Sequence, residues 1–358
     1  MNTLRIQRMR AVVQALFVLS AANASAQSNV NVYGLLDVNL GANDKADSAG
    51  HTVWRVSSGG MNTSRLGFRG SEEIGGGLKA VFQLEAAVQT DTGASDAALF
   101  KRQANVGFEG GFGRIVFGRS FTSVYDFMIR YDPMGFAPFY SWGTSGSASG
   151  ASKYGMTTGF DNMVKYTGKV GGLTVGASYG AGEVAGSTAD GAKGAVALEY
   201  AYGPWSVVGT WERSNGTTVA ATGQRDVNTV WHAGGMYNSG PYKFQLAARD
   251  YKLTAGKAGV PVVRAVLYWV GANWRVTPAN TLIGAVYYQD VRNVAPPADA
   301  DPIMYVASLR HALSKRTDLY LTAAYAKAKN TRLVAISRDD PGFADTQRGV
   351  VAGIQHRF

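Results

Sequence analysis

The sequence predicts an all-β protein, a sixteen-stranded antiparallel transmembrane β-barrel. Three observations carry this expectation. Apolar and polar residues alternate along almost the whole chain after residue 27. Sixteen candidate strands are joined by connections that alternate between short and long. No run of about 18 apolar residues follows residue 27, so the chain has no segment that could cross a bilayer as a helix.

Composition narrows the class. Of 358 residues, 46% are hydrophobic and 17% charged, which excludes a disordered, highly charged chain. Glycine numbers 45 without a collagen period, so it serves turns, strands and close packing. There is no cysteine, which removes disulfides, thiolate metal sites and a cysteine nucleophile. Only four histidines are present, His51, His232, His311 and His356.

The first element is an export signal. Arg5, Arg8 and Arg10 precede the apolar stretch 11–22, which is too short to span a bilayer, and Ala24-Ser25-Ala26 has the small-x-small form of a cleavage site. Residues 1–26 are read as a cleaved signal peptide and 27–358 as one barrel domain. Loss of three arginines and no acid leaves 32 basic against 25 acidic residues, a net charge of +7.

The strands follow. From Val30 to Leu40 the even positions are apolar or glycine, and the odd ones include Asn31, Asp37 and Asn39. Leu78, Ala80, Phe82 and Leu84 oppose Lys79, Gln83 and Glu85. Tyr242, Phe244, Leu246 and Ala248 oppose Lys243, Gln245 and Arg249. Alternation alone also suits a β-sandwich. The connections discriminate. Short ones fall at 75–77, 110–113, 170–172, 203–204, 239–241, 277–280 and 314–316, rich in turn residues. Long ones fall near 41–52, 89–101, 120–161, 181–193, 213–227, 252–262, 290–302 and 327–346. Long loops confined to one end of an antiparallel meander are the mark of an outer-membrane barrel. Tyr200, Tyr202, Trp205, Trp211, Tyr237, Tyr242, Tyr251 and Tyr287, near strand ends, suit interfacial girdles.

Strand parity sorts the charges. Arg65, Arg69, Lys79, Lys165, Lys243, Arg249, Arg310 and Arg357 share the inward parity with Asp37, Glu85, Glu199 and Glu212. A charge facing lipid at the midplane costs about 2–4 kcal/mol, so these residues are expected in the lumen. An excess of basic over acidic residues there predicts weak anion preference. The stretch Arg264–Trp274 is apolar on both faces.

The segment Ser64-Arg65-Leu66-Gly67-Phe68-Arg69-Gly70-Ser71-Glu72-Glu73-Ile74-Gly75-Gly76-Gly77-Leu78-Lys79-Ala80-Val81-Phe82-Gln83-Leu84-Glu85 resembles the second hairpin of Gram-negative general porins of the β-proteobacterial type. Val32–Asp37, Lys101–Phe108, Phe112–Arg119 and Gly353–Phe358 follow the same pattern. The resemblance implies a barrel with an inward-folded third loop, a homotrimer of separate pores, and passive diffusion of small hydrophilic solutes and ions across the outer membrane. It implies contact with lipid and lipopolysaccharide, no cofactor, and a carboxy-terminal signal for the barrel-assembly machinery formed by Phe358, Ile354 and Val350. It takes the aromatic-rich connection 120–161 as the constriction loop. It matches Arg65, Arg102 and Glu85 to a charged cluster opposite that loop. A third arginine of the cluster falls on Gly159, leaving Arg130 or Arg119 as replacements. Asp126 and Asp132 would oppose the wall arginines, although Asp132 before Pro133 equally suits a turn.

Other classes fare worse. There is no His-Glu-x-x-His or Gly-Lys-Ser/Thr motif for an enzyme, and no basic stripe for nucleic acid. A substrate-specific channel, a barrel adhesin and an outer-membrane hydrolase are the alternatives.

Overall fold

The structure is a computed structural model of the chain. It describes residues 29–144, 147–149, 152–294, 301–329, 334–338 and 340–358, with backbone alone at 147–149 and 152–153. The expected signal peptide, 1–26, lies outside the described residues.

The chain runs as an antiparallel meander. β1 (Asn29–Asn43) is followed by β2 (Val53–Ser58), β3 (Arg65–Gly75), β4 (Leu78–Ala87), β5 (Gln103–Gly110) and β6 (Gly113–Phe121). A short helix, α1 (Ser123–Met128), and a small hairpin of β7 (Ser147–Ser149) and β8 (Ser152–Lys153) lie in the connection that follows. β9 (Gly159–Val170), β10 (Leu173–Gly180), β11 (Lys193–Tyr202), β12 (Trp205–Val219), β13 (Gln224–Ser239) and β14 (Tyr242–Thr254) continue the sheet. β15 (Val263–Arg275), β16 (Asn280–Arg292), β17 (Ile303–Ala312), β18 (Thr317–Lys327) and β19 (Thr346–Arg357) complete it.

The sheet closes where β1 pairs with β19, in a register from Leu35 opposite Arg357 to Asn43 opposite Gly349. β2 and β3 both pair with β1, one along its second half and one along its first, so together they form a single interrupted wall strand. Counted that way, sixteen strands ring the barrel. Closure leaves no strand edge, as a lipid environment demands.

Burial follows the pleat. In β1 the odd positions Leu35, Asp37, Asn39 and Asn43 are buried, while Val32, Leu36 and Leu40 are exposed. In β12, Ser206, Val208, Thr210 and Glu212 are buried, and Trp205 and Val207 are exposed. An exposed aliphatic face backed by buried polar residues is inverted for a water-soluble protein and correct for a barrel in lipid. Outward aromatics pair near the strand ends, Trp205 with Tyr237 at 4.6 Å and Tyr242 stacked on Trp274 at 6.2 Å.

All seven short turns fall where the sequence put them. The expected long connection near 213–227 does not form. β12 and β13 stay paired up to Val219 and Gln224, leaving only 220–223 as the turn. Tyr251 and Tyr287 are also not girdle residues: both point inward, at 8% and 0% exposure.

The break between β2 and β3 is organised by one carboxylate. Asp37 has no exposed surface. It accepts hydrogen bonds from the backbone N–H of Gly60 (3.1 Å), Met61 (3.0 Å) and Asn62 (2.8 Å). Tyr320 donates its hydroxyl at 2.6 Å and Gln355 its amide at 3.3 Å. Asp37 therefore ties the break in the wall to β18 and β19. Asp37→Ala strands these donors, each costing about 1–3 kcal/mol. We expect the barrel to lose about 3–5 kcal/mol of stability, read as an earlier midpoint in urea unfolding from detergent or lipid.

Candidate pore constriction

Loop three, residues 122–158, follows β6, and its residues 122–144 and 154–158 pack on the inner wall. Thr122 caps α1 by accepting from the Tyr125 N–H at 3.1 Å, although the preference for a hydroxyl there is only one of its anchors. Phe127 lies over Gly176 of β10, where an added Cβ would come within 2.8 Å of its ring. Ser123 and Ser178 share a hydroxyl contact of 2.9 Å. Farther along, Tyr131 donates to Ser206 (2.9 Å), Gln245 to the Arg130 carbonyl (3.1 Å) and Trp269 to the Tyr131 carbonyl (2.9 Å). Asn273 donates to the Pro133 carbonyl at 3.1 Å. Arg249 donates to the Gly143 carbonyl at 2.8 Å, and Thr157 N–H to Glu212 at 2.9 Å. These contacts fasten the loop to the inner wall from β10 to β15.

These contacts explain why β15 is apolar on both faces. Its inward Leu267 and Trp269 lie beneath loop three rather than beside water, and Gly271 leaves room for the Pro133 ring. Phe136 and Tyr140 hold positive φ angles of 58° and 65°, a strained state for aromatic residues that the surrounding contacts enforce.

Opposite the loop stands a basic wall. Glu85 of β4 is the hub. It accepts from Arg102 Nε at 2.7 Å and Tyr33 Oη at 2.8 Å, and Arg65 Nε lies 3.7 Å away. Strand register brings them together, with Gly67 opposite Glu85 and Tyr33 opposite Gly67. Gly67 is required because a Cβ there would stand 2.4 Å from the Tyr33 ring. Arg69 lies 5.0 Å over that ring, and Arg102 lies 5.1 Å over Phe121.

A cavity of about 810 Å³ separates wall from loop. Among the described residues, its charged side chains are Arg65, Arg69, Arg102, Arg338 and Arg357 against Glu85. Tyr125, Ile129 and Phe136 form the loop side. A second cavity of about 480 Å³ is lined by Arg114, Lys165 and Lys169 against Glu109 and Asp126, a nearly balanced set.

The sequence-based assignments therefore divide. Arg65, Arg69, Arg102 and Glu85 meet at the large cavity. Asp126 does not face them; it pairs with Lys165 and lines the second cavity. Burial pushes the Asp126 carboxyl up, while Lys165 and Arg130 pull it down. Asp132 does not face the channel either. It is fully enclosed, accepting from Tyr287 (2.5 Å), Phe136 N–H (2.6 Å) and Ser141 (2.7 Å), so the turn reading applies. Burial raises its pKa. Arg130 is ion-paired with Glu199, and Arg119 with Asp161, so neither joins the wall cluster. Arg249 has no exposed surface and sits behind loop three. Lys79 pairs with Glu73 at 2.7 Å, and Arg310 with Asp318 at 3.0 Å, both close to short turns and away from the constriction. Phe358, Ile354 and Val350 share the exposed face of the last strand. Arg338 was missed, because it stands in a long loop where parity carries no information.

A closed, lipid-facing barrel whose lumen is narrowed by an inward loop defines a transmembrane channel. The Gram-negative porin profile matches residues 11–331, and the chain belongs to that family. It is 30% identical to outer membrane porin protein 32 of Delftia acidovorans, over 98% of this chain and all of that one. It is also 30% identical to an outer membrane porin of Bordetella pertussis, over 96% of this chain and 98% of the relative. Among solved structures, the anion-selective porin from Comamonas acidovorans superposes with a TM-score of 0.80 at 26% identity, covering 93% of this chain and all of that one. The protein is an outer-membrane porin and not an enzyme.

Two outcomes test the site. Asp132→Ala should loosen loop three, raising single-channel conductance and current noise in planar bilayers; unchanged traces would show that the remaining anchors hold the loop alone. Glu85→Gln removes the carboxylate among the arginines and should move the zero-current potential further toward anions.

Proposed function

We propose that the protein is a general diffusion channel for small hydrophilic solutes with a weak preference for anions. The carrying observation is the cavity lining among the described residues, where five arginines, one of them Arg357 paired with Asp318, stand against Glu85. A guanidinium lowers the energy of an anion in a confined channel and raises that of a cation, more strongly than in bulk water. The similarity to a porin described as anion-selective supports the same sign. In this reading Arg65, Arg69 and Arg102 form the attracting wall, and Glu85 tempers it. Loop three sets the size cutoff. Lys165 with Asp126 carries the path onward, and Arg249 holds the loop from behind.

The assembly reading is a homotrimer, with the trimer form of a Vibrio cholerae barrel as precedent. Residues 1–26 would be removed on export. Phe358, Ile354 and Val350 would be read by the barrel-assembly machinery before meeting lipid and lipopolysaccharide.

Arg65→Glu should shift the zero-current potential in a salt gradient toward cations while channels still open. A potential identical to that of the parent protein would remove Arg65 from the constriction.

A further inference from the structure

The large cavity has two unlike faces. On the barrel wall, Arg65 and Arg102 share one carboxylate, that of Glu85, so the three groups together stay positive. Arg65 keeps 27% of its side-chain surface, which leaves it open to the cavity. The face opposite is apolar. Phe121 at the end of β6 forms it together with Tyr125, Ile129 and Phe136 of loop three.

Helical spacing separates this apolar face from the one that holds the loop in place. Val124, Phe127 and Met128 of α1, and Tyr131 just beyond it, are buried. Phe121, Tyr125 and Ile129, four residues apart, fall on another side and stay half-buried. Anchoring of the loop therefore does not account for them.

Charge and rings form one continuous run. The Arg102 guanidinium lies 5.1 Å over the Phe121 ring. Phe121 stacks on Tyr125, with centroids 4.4 Å apart and planes 17° from parallel. Tyr125 meets Phe136 at 5.4 Å in a tilted contact. The aromatic surface thus begins where the basic cluster ends.

A bare inorganic anion gains nothing from this surface, because the face of an aromatic ring is the negative part of its quadrupole. A contiguous apolar patch inside a polar cavity is instead the mark of a ligand with an apolar part. A carboxylate can take charge-assisted hydrogen bonds from guanidinium groups. A planar ring bonded to that carboxylate would come against Tyr125, where offset or edge contact between rings is favourable. The cavity, about 810 Å³, is of a size that holds small organic molecules.

We propose that the constriction is a binding site for aromatic carboxylates, with the carboxylate seated at Arg65 and Arg102 and the ring against Tyr125. The inference rests on the anion-channel reading above and deepens it. To a preference for anions over cations it adds a preference among organic anions.

The test uses the refolded mature protein in planar bilayers, with chloride carrying the current at low ionic strength, where charges are weakly screened. A solute that dwells in the constriction lowers that current. Benzoate, acetate and benzyl alcohol are compared on the parent protein, as ring with charge, charge alone and ring alone. Benzoate should halve the current at a concentration about fivefold lower than either of the others. Equal concentrations for benzoate and acetate would overturn the inference without any variant. Tyr125→Leu keeps apolar bulk on the loop but removes the ring, and its folding is first checked by heat-modifiable mobility. It should narrow the benzoate-to-acetate difference by about threefold; an undiminished difference would also overturn the inference. Arg65→Glu should weaken both carboxylates together. If the parent prefers anions in a salt gradient yet treats benzoate and acetate alike, this inference falls and the channel reading stands. If the parent prefers cations and Arg65→Glu changes nothing, the channel reading falls and takes this inference with it.

Discussion

Every backbone N–H and C=O in a membrane must find a partner within the protein, and this protein meets that demand by sheet closure. The β1–β19 pairing is the constraint on which the rest depends. Once the sheet is a ring, alternate residues are assigned to lipid and lumen without further choice. The lumen then inherits charged and polar residues that an ordinary core would reject. The inner wall is not uniform, however. Beside β12–β16 it behaves as a protein interior, with Leu267, Trp269, Tyr287 and Arg249 buried under loop three. Beside β3–β5 it remains open and basic. That asymmetry leaves the polar cavities on one side of the barrel, where the arginines are.

Loop three is held by wall side chains that donate to its carbonyls, including Gln245, Arg249, Trp269 and Asn273. Such bonds satisfy a nonregular backbone inside a barrel, where water is limited. They also explain how strained aromatic residues such as Phe136 and Tyr140 persist.

Strands, short turns and lumen parity were legible because lipid imposes a strict period of two. The inward parity of Arg65 and Glu85 was legible for the same reason, and the register of adjacent strands brings them together. The segment Ser214–Thr218 was misread as loop because it is polar, yet paired strands can extend beyond the hydrocarbon. Tyr251 was misread because position near a strand end does not tell which face an aromatic residue occupies, whereas strand parity placed Tyr287 inward, where it lies. Asp126 and Asp132 share a loop with the constriction, but only tertiary contacts show that one pairs with Lys165 and the other is sealed by Tyr287. The apolar inner face of β15 was the one local clue to where loop three would settle.

The Asp37 node has a consequence for biogenesis. Its partners Tyr320 and Gln355 lie 283 and 318 residues further along the chain. Contacts of such separation form only after nearly the whole polypeptide has been delivered. A chain that stops early is therefore an open sheet with a raw edge rather than a smaller pore. Sealing the wall becomes a terminal event, which keeps a half-built barrel from becoming a leak.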